Sequence, residues 1–168
     1  MMFDPTAFDN LKVVLEGAIY DLDLSGDIRV LDRKDLVDLA TMSRRYEIKF
    51  ALRNHTLPSL YTQFTLEATM EQLAAELIKK SGFQQPGAYV SIDFGWQSEH
   101  NINIEQVKEL WGETRTYDEK KIISSQHGTR MVVSIDFHRF ITENMIDDCI
   151  AMIHHMVKTL YELDEGYI

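Results

Sequence analysis

Cysteine, proline and glycine are all scarce in this chain: one, three and eight of 168 residues. A lone cysteine excludes an internal disulfide, and Cys149 falls in phase with an apolar helical stripe, which assigns it to packing. The stretch from Thr142 to Leu163 runs without glycine or proline, so nothing in it breaks a helix. No apolar run approaches membrane-spanning length, and the start, Met1-Met2-Phe3-Asp4-Pro5, lacks a basic n-region and an apolar h-region. A soluble cytoplasmic protein with no membrane partner is expected. Basic residues are few as well: 17 Lys and Arg against 27 Asp and Glu give a formal charge of −10. That balance repels nucleic acid and anionic lipid unless a basic patch overrides it, and Arg44-Arg45, Lys79-Lys80 and Lys120-Lys121 are isolated pairs.

What is present is ordinary globular material, 45% hydrophobic and 26% charged, in a length that fits one compact domain over 1–168. Its centre is Arg130 to Leu163. Met131, Val133, Ile135 and Phe137 alternate with Val132, Ser134, Asp136 and His138, the period of a strand with one buried face. From Met145 the period changes to three and four: Ile146, Cys149, Ile150, Ile153, Met156, Val157, Leu160 and Leu163 make a stripe on a long helix, with Thr142 expected as its N-cap.

Taken in order, Asp4-Pro5-Thr6 opens a first helix carried by Phe8, Leu11, Val14, Leu15, Ala18, Ile19 and Leu22, which stops near Gly26. Ile28 and Val30 suggest a short strand and Asp32 to Asp35 a turn. Leu36 to Ala40 fit either a strand or a helical turn, and the strand is preferred. Tyr46 to Leu52 alternate as a strand. Leu60 to Leu66 read as a strand, with a single longer helix from Pro58 as the alternative. Thr69-Met70-Glu71-Gln72 opens a middle helix through Lys80. Tyr89 to Trp96 form a strand, Ile104 to Trp111 a short helix, and Ile122 to Ser125 a weak strand folded back by Gly128 onto 130–140 as a hairpin. The expected fold is α+β: one antiparallel or mixed sheet of about five to six strands. An N-terminal helix, a middle helix and a long C-terminal helix cover one face. This order is similar, at the level of the fold, to small acidic secretion chaperones and to some bacterial immunity proteins. Val90-Ser91-Ile92-Asp93-Phe94 recurs as Val133-Ser134-Ile135-Asp136-Phe137, which suggests two strands with the same facing.

Two constellations could carry chemistry. Asp21, Asp23, Ser25 and Asp32, with Gly26 at the sixth position and Ile28 at the eighth, resemble a calcium-binding EF-hand loop. Position twelve is Asp32 rather than the longer glutamate, Arg33 follows where an apolar residue is usual, and no second loop pairs with it. The other is the outward sheet face, where Asp93, Asp136 and His138 could serve as a binding site or do acid–base work. Cross-strand polar pairing on a wet face is the commoner use of such residues. The six histidines show no metal-ligand spacing, and no nucleophile, oxyanion site or phosphate-binding loop stands out. The leading expectation is an acidic protein-interaction or regulatory module, without catalytic machinery, whose polar sheet face or exposed sheet edge binds another protein or its own copy. The alternative is a small-molecule or divalent-metal-binding protein, an enzyme included, using the polar sheet face.

Overall fold

The apolar periods decide the architecture. In the computed structural model, which describes residues 7–55, 59–69 and 87–165, helix α1 spans Ala7–Leu24 and buries Phe8, Leu11, Leu15 and Ile19 along one side. The strands follow as β1 (Ile28–Asp38), β2 (Ser43–Leu52), β3 (Tyr61–Ala68) and β4 (Gly87–Gln97). Helix α2 (Ile104–Trp111) precedes the hairpin of β5 (Thr116–Ser124) and β6 (Gly128–Thr142). A 3-10 turn, Glu143–Met145, leads into α3 (Ile146–Glu165).

The six strands among the described residues form one sheet in the order β1-β2-β3-β4-β6-β5, every pair antiparallel. Alternation chooses the faces. Tyr46, Ile48, Phe50, Phe64, Leu66, Val90, Ile92, Phe94, Val133 and Ile135 all turn to one side and are buried. On that side α1 packs beside α3, and together they cover β1 to β4, while α2 packs on α3. Cys149, Ile153, Met156, Leu160 and Leu163 supply the α3 half of this core. The Cys149 thiol is pushed up to about 11, chiefly by burial, so it stays protonated and inert at neutral pH. The fold is thus the expected single α+β domain with helices on one face. No helix among the described residues is long and apolar enough to cross a membrane.

Several local expectations are corrected. Asp32 to Asp35 do not turn: β1 runs through them, because Arg33 reaches Glu16 at 2.6 Å and Asp35 reaches Lys12 at 2.7 Å, so the charges find partners on α1. The turn lies at 39–42, where the Asp38 carboxylate accepts from the Ala40 and Thr41 amides and Met42 adopts a φ of 54°. Residues 36–38 are strand, as preferred, and 61–68 are strand rather than part of a helix from Pro58. β5 begins at Thr116, six residues ahead of the expected weak strand, since its polar residues pair along an edge with no apolar alternation to mark them. Thr142 flanks the 3-10 turn but its side chain makes no capping bond. Residues 70–80 of the middle helix expected to open at Thr69 lie outside the described residues.

Candidate functional site

The sheet face away from the helices is polar and ordered in rows. One row runs Lys34, Glu47, Thr65, Ser91, Asp136 and Thr116 across the strands, and the next runs Asp32, Lys49, Gln63, Asp93, Ser134 and Asp118. Tyr61 lies over Gly95 on this face: a Cβ on Gly95 would run into the Tyr61 ring. The Lys49 ammonium sits 4.4 Å from that ring's centre. Asp93 is half-buried among these groups, and burial raises its pKa, opposed by a hydrogen bond from Ser134 and by the charges of Arg45 and Lys120.

Asp93 and Asp136 therefore share a face, in adjacent rows, as their alternation implied. His138 does not continue that row. Between the pairs Ser91–Asp136 and Tyr89–Phe140, β6 advances four residues against two on β4, so Phe137, His138 and Arg139 form a bulge. His138 adopts a φ of 48°, and its amide donates to Asp136 Oδ1 at 2.8 Å. Its Nε2 lies 2.8 Å from Thr116 Oγ1. Asp136 and His138 close this bulge.

The residues of the EF-hand-like stretch are spread over two elements. Asp21 and Asp23 are on the last turn of α1, Ser25 is in the turn beside the left-handed Gly26, and Asp32 is on β1, so a strand follows the loop in place of a second helix. Asp23 accepts from the Val30 amide at 2.9 Å and from Arg53 at 3.1 Å. The Asp32 carboxylate accepts from the Arg33 amide and pairs with Lys34. Among the described residues no group of three or more His, Cys, Asp or Glu is arranged to hold a metal ion.

A different surface emerges at the sheet edge. Among the described residues β1 has one neighbour, β2, and from Leu31 to Asp38 all eight residues are exposed. Leu31, Leu36 and Val37 show 43%, 46% and 60% of their surface, and Leu39 and Met42 at the hairpin tip show 79% and 53%. The hairpin is held firmly. Arg44 makes a two-point pair with Asp35 at 3.1 and 2.8 Å, a further pair with Asp9 at 2.7 Å, and lies 4.7 Å above the Phe8 ring. The sequence points to an exposed sheet edge without saying which strand supplies it, since Leu36 to Ala40 fit either a strand or a helical turn. The signal was the failure of Leu36-Val37-Asp38-Leu39 to alternate: in a sheet covered on one face, apolar residues on both sides of a strand leave one set in water. The second edge, β5, carries Asp118, Glu119, Lys120 and Lys121, followed by the exposed Ile122 and Ile123.

Comparison with protein-family models, with curated proteins and with solved structures returns no match.

Proposed function

We propose that this chain is a protein-interaction module that takes a partner strand along β1, and that the partner is a second copy of itself. The observation that supports it is the eight-residue exposed edge from Leu31 to Asp38, continued by the apolar hairpin tip. Unpaired N–H and C=O groups along an edge are a template for strand addition, and exposed leucine, valine and methionine supply area to bury.

Charge favours a like partner. The whole chain carries −10, which drives copies apart, yet over 28–42 Arg29, Arg33 and Lys34 balance Asp32, Asp35 and Asp38. The edge is a neutral island in an acidic molecule. Two β1 strands running antiparallel about Arg33 set Asp32 opposite Lys34 of the other copy, twice. Each Arg33 is already held by its own Glu16, so the central like charges are compensated within each chain. The test is the solution mass of the purified protein, wild type against a Val37→Lys, Leu39→Lys double variant. A dimer that the variant dissolves supports the reading; a single-chain mass for the wild type removes it.

A further inference from the structure

A second surface, remote from β1 in the strand order, has the make-up of a ligand site. A groove of about 480 Å³ opens between the end of α2, the β6 bulge and one face of α3. Its floor is Trp111 and Phe137, both nearly buried, with ring centres 5.7 Å apart in an edge-to-face arrangement. Ala151 and Met152 of α3 form one wall. The groove is shallow and open to solvent, and combines this apolar wall with a few polar groups.

The polar groups are two arginines, one aspartate and one histidine. The Arg115 guanidinium stands 5.0 Å over the Phe137 ring and has no ion-pair partner among the described residues. Arg139, carried into the groove by the bulge, pairs with Asp148 at 2.9 Å. His155 Nε2 is 2.7 Å from the Leu110 carbonyl oxygen, and a carbonyl only accepts, so that nitrogen carries its hydrogen and the ring is fixed against Trp111 at 4.5 Å. The permanent charges, Arg115 and Arg139 against Asp148, leave one net positive charge in a chain of −10. The strained backbone at His138 and its ties to Asp136 and Thr116 have their reason here, since they hold Phe137 and Arg139 at the groove.

We infer that this groove binds a small monocarboxylate with a flat apolar body. The carboxylate sits on Arg115, with the outward donors of Arg139 beside it, and the body lies over Trp111 and Phe137. One net positive charge suits a monoanion better than a doubly charged phosphate. This site is independent of the β1 edge and stands whether or not the chain dimerises.

The test uses the full chain labelled with nitrogen-15 and three probes: 2-naphthoate, the uncharged 2-naphthylmethanol and inorganic phosphate. Naphthoate is expected to shift the Trp111 indole N–H and the Arg115 and Arg139 amides saturably. The alcohol should bind about tenfold more weakly, the usual value of one charge-assisted hydrogen bond. Arg115 is exposed, so Arg115→Gln should keep its melting temperature and show the same loss. Ala151→Phe, filling the groove from an exposed position, should abolish binding. Equal affinity for naphthoate and the alcohol, undiminished binding by Arg115→Gln, displacement of naphthoate by equimolar phosphate, or shifts confined to another surface would each overturn the assignment.

Discussion

Ile92 and Ile135 sit directly opposite one another across β4 and β6. About that pair the two copies of Val-Ser-Ile-Asp-Phe run antiparallel, so Asp93 faces Ser134 and Ser91 faces Asp136. The identical stretches are partners in one ladder, and their serine–aspartate pairs make the middle of the polar face. The local symmetry ends at the bulge, where Phe137 leaves the position that would oppose Val90.

Asp93 is held above its ordinary pKa by burial. The folded state therefore binds its proton more tightly than the unfolded chain, and the ionised carboxylate costs stability at neutral pH. Asp93→Asn, which keeps a partner for Ser134, is expected to be at least as stable as the wild type at pH 7. The wild type should gain on the variant as pH falls from 7 toward 4. Urea unfolding at the two pH values measures this, and a variant weaker by more than about 1 kcal/mol at pH 7 would show that the ion stabilises the fold.

Asp35 behaves in the opposite sense. Hydrogen bonds from Arg44 and Lys12 lower its pKa from 3.8 to about 2. Its contribution is fully present above pH 4 and is lost as pH falls toward 2. The carboxylate is partly exposed, so after screening by solvent the contribution is on the order of 1 kcal/mol. Asp35→Asn should lower stability by that amount at pH 7 and converge on the wild type near pH 2, read from the same unfolding curves.

Trp111 Nε1 donates to Thr159 Oγ1 at 3.0 Å inside the α2–α3 contact, and that hydroxyl donates on to the His155 carbonyl at 2.7 Å. Thr159→Val keeps the shape and strands the indole N–H. A loss of about 1 to 3 kcal/mol is expected, while Thr159→Ser should recover most of it.

Gly95 has room for no side chain beneath Tyr61. Gly95→Ala forces the ring off the sheet and away from Lys49, at a cost of about 1 to 3 kcal/mol. Tyr61→Ala in the same background should relieve the clash, so the double variant loses less than the sum of the singles. Strict additivity in thermal melts would mean that the two residues do not press on each other.

The sequence made the core legible because period and burial agree there. The α3 stripe from Cys149 to Leu163, the β2 alternation from Tyr46 to Leu52 and the facing of Asp93 and Asp136 all follow from spacing. What it concealed depends on long-range partners. Asp32-Arg33-Lys34-Asp35 reads as a turn until Glu16, Lys12 and Arg44 are placed beside it. The bulge at 137–139 cannot be counted from β6 alone, because its extra residues exist only relative to β4. The groove joins Arg115 from the α2–β5 connection, Phe137 from β6 and Met152 from α3, and none of these segments carries a motif.

The central claim, that β1 is a pairing edge for a second copy, is tested most directly by light-scattering mass across a range of concentrations. The chain is 19.5 kDa. The account gives twice that mass for the wild type, falling on dilution, and the single-chain mass for Val37→Lys, Leu39→Lys at every concentration. A wild type that stays at the single-chain mass, or a dimer that the double variant leaves intact, would contradict it.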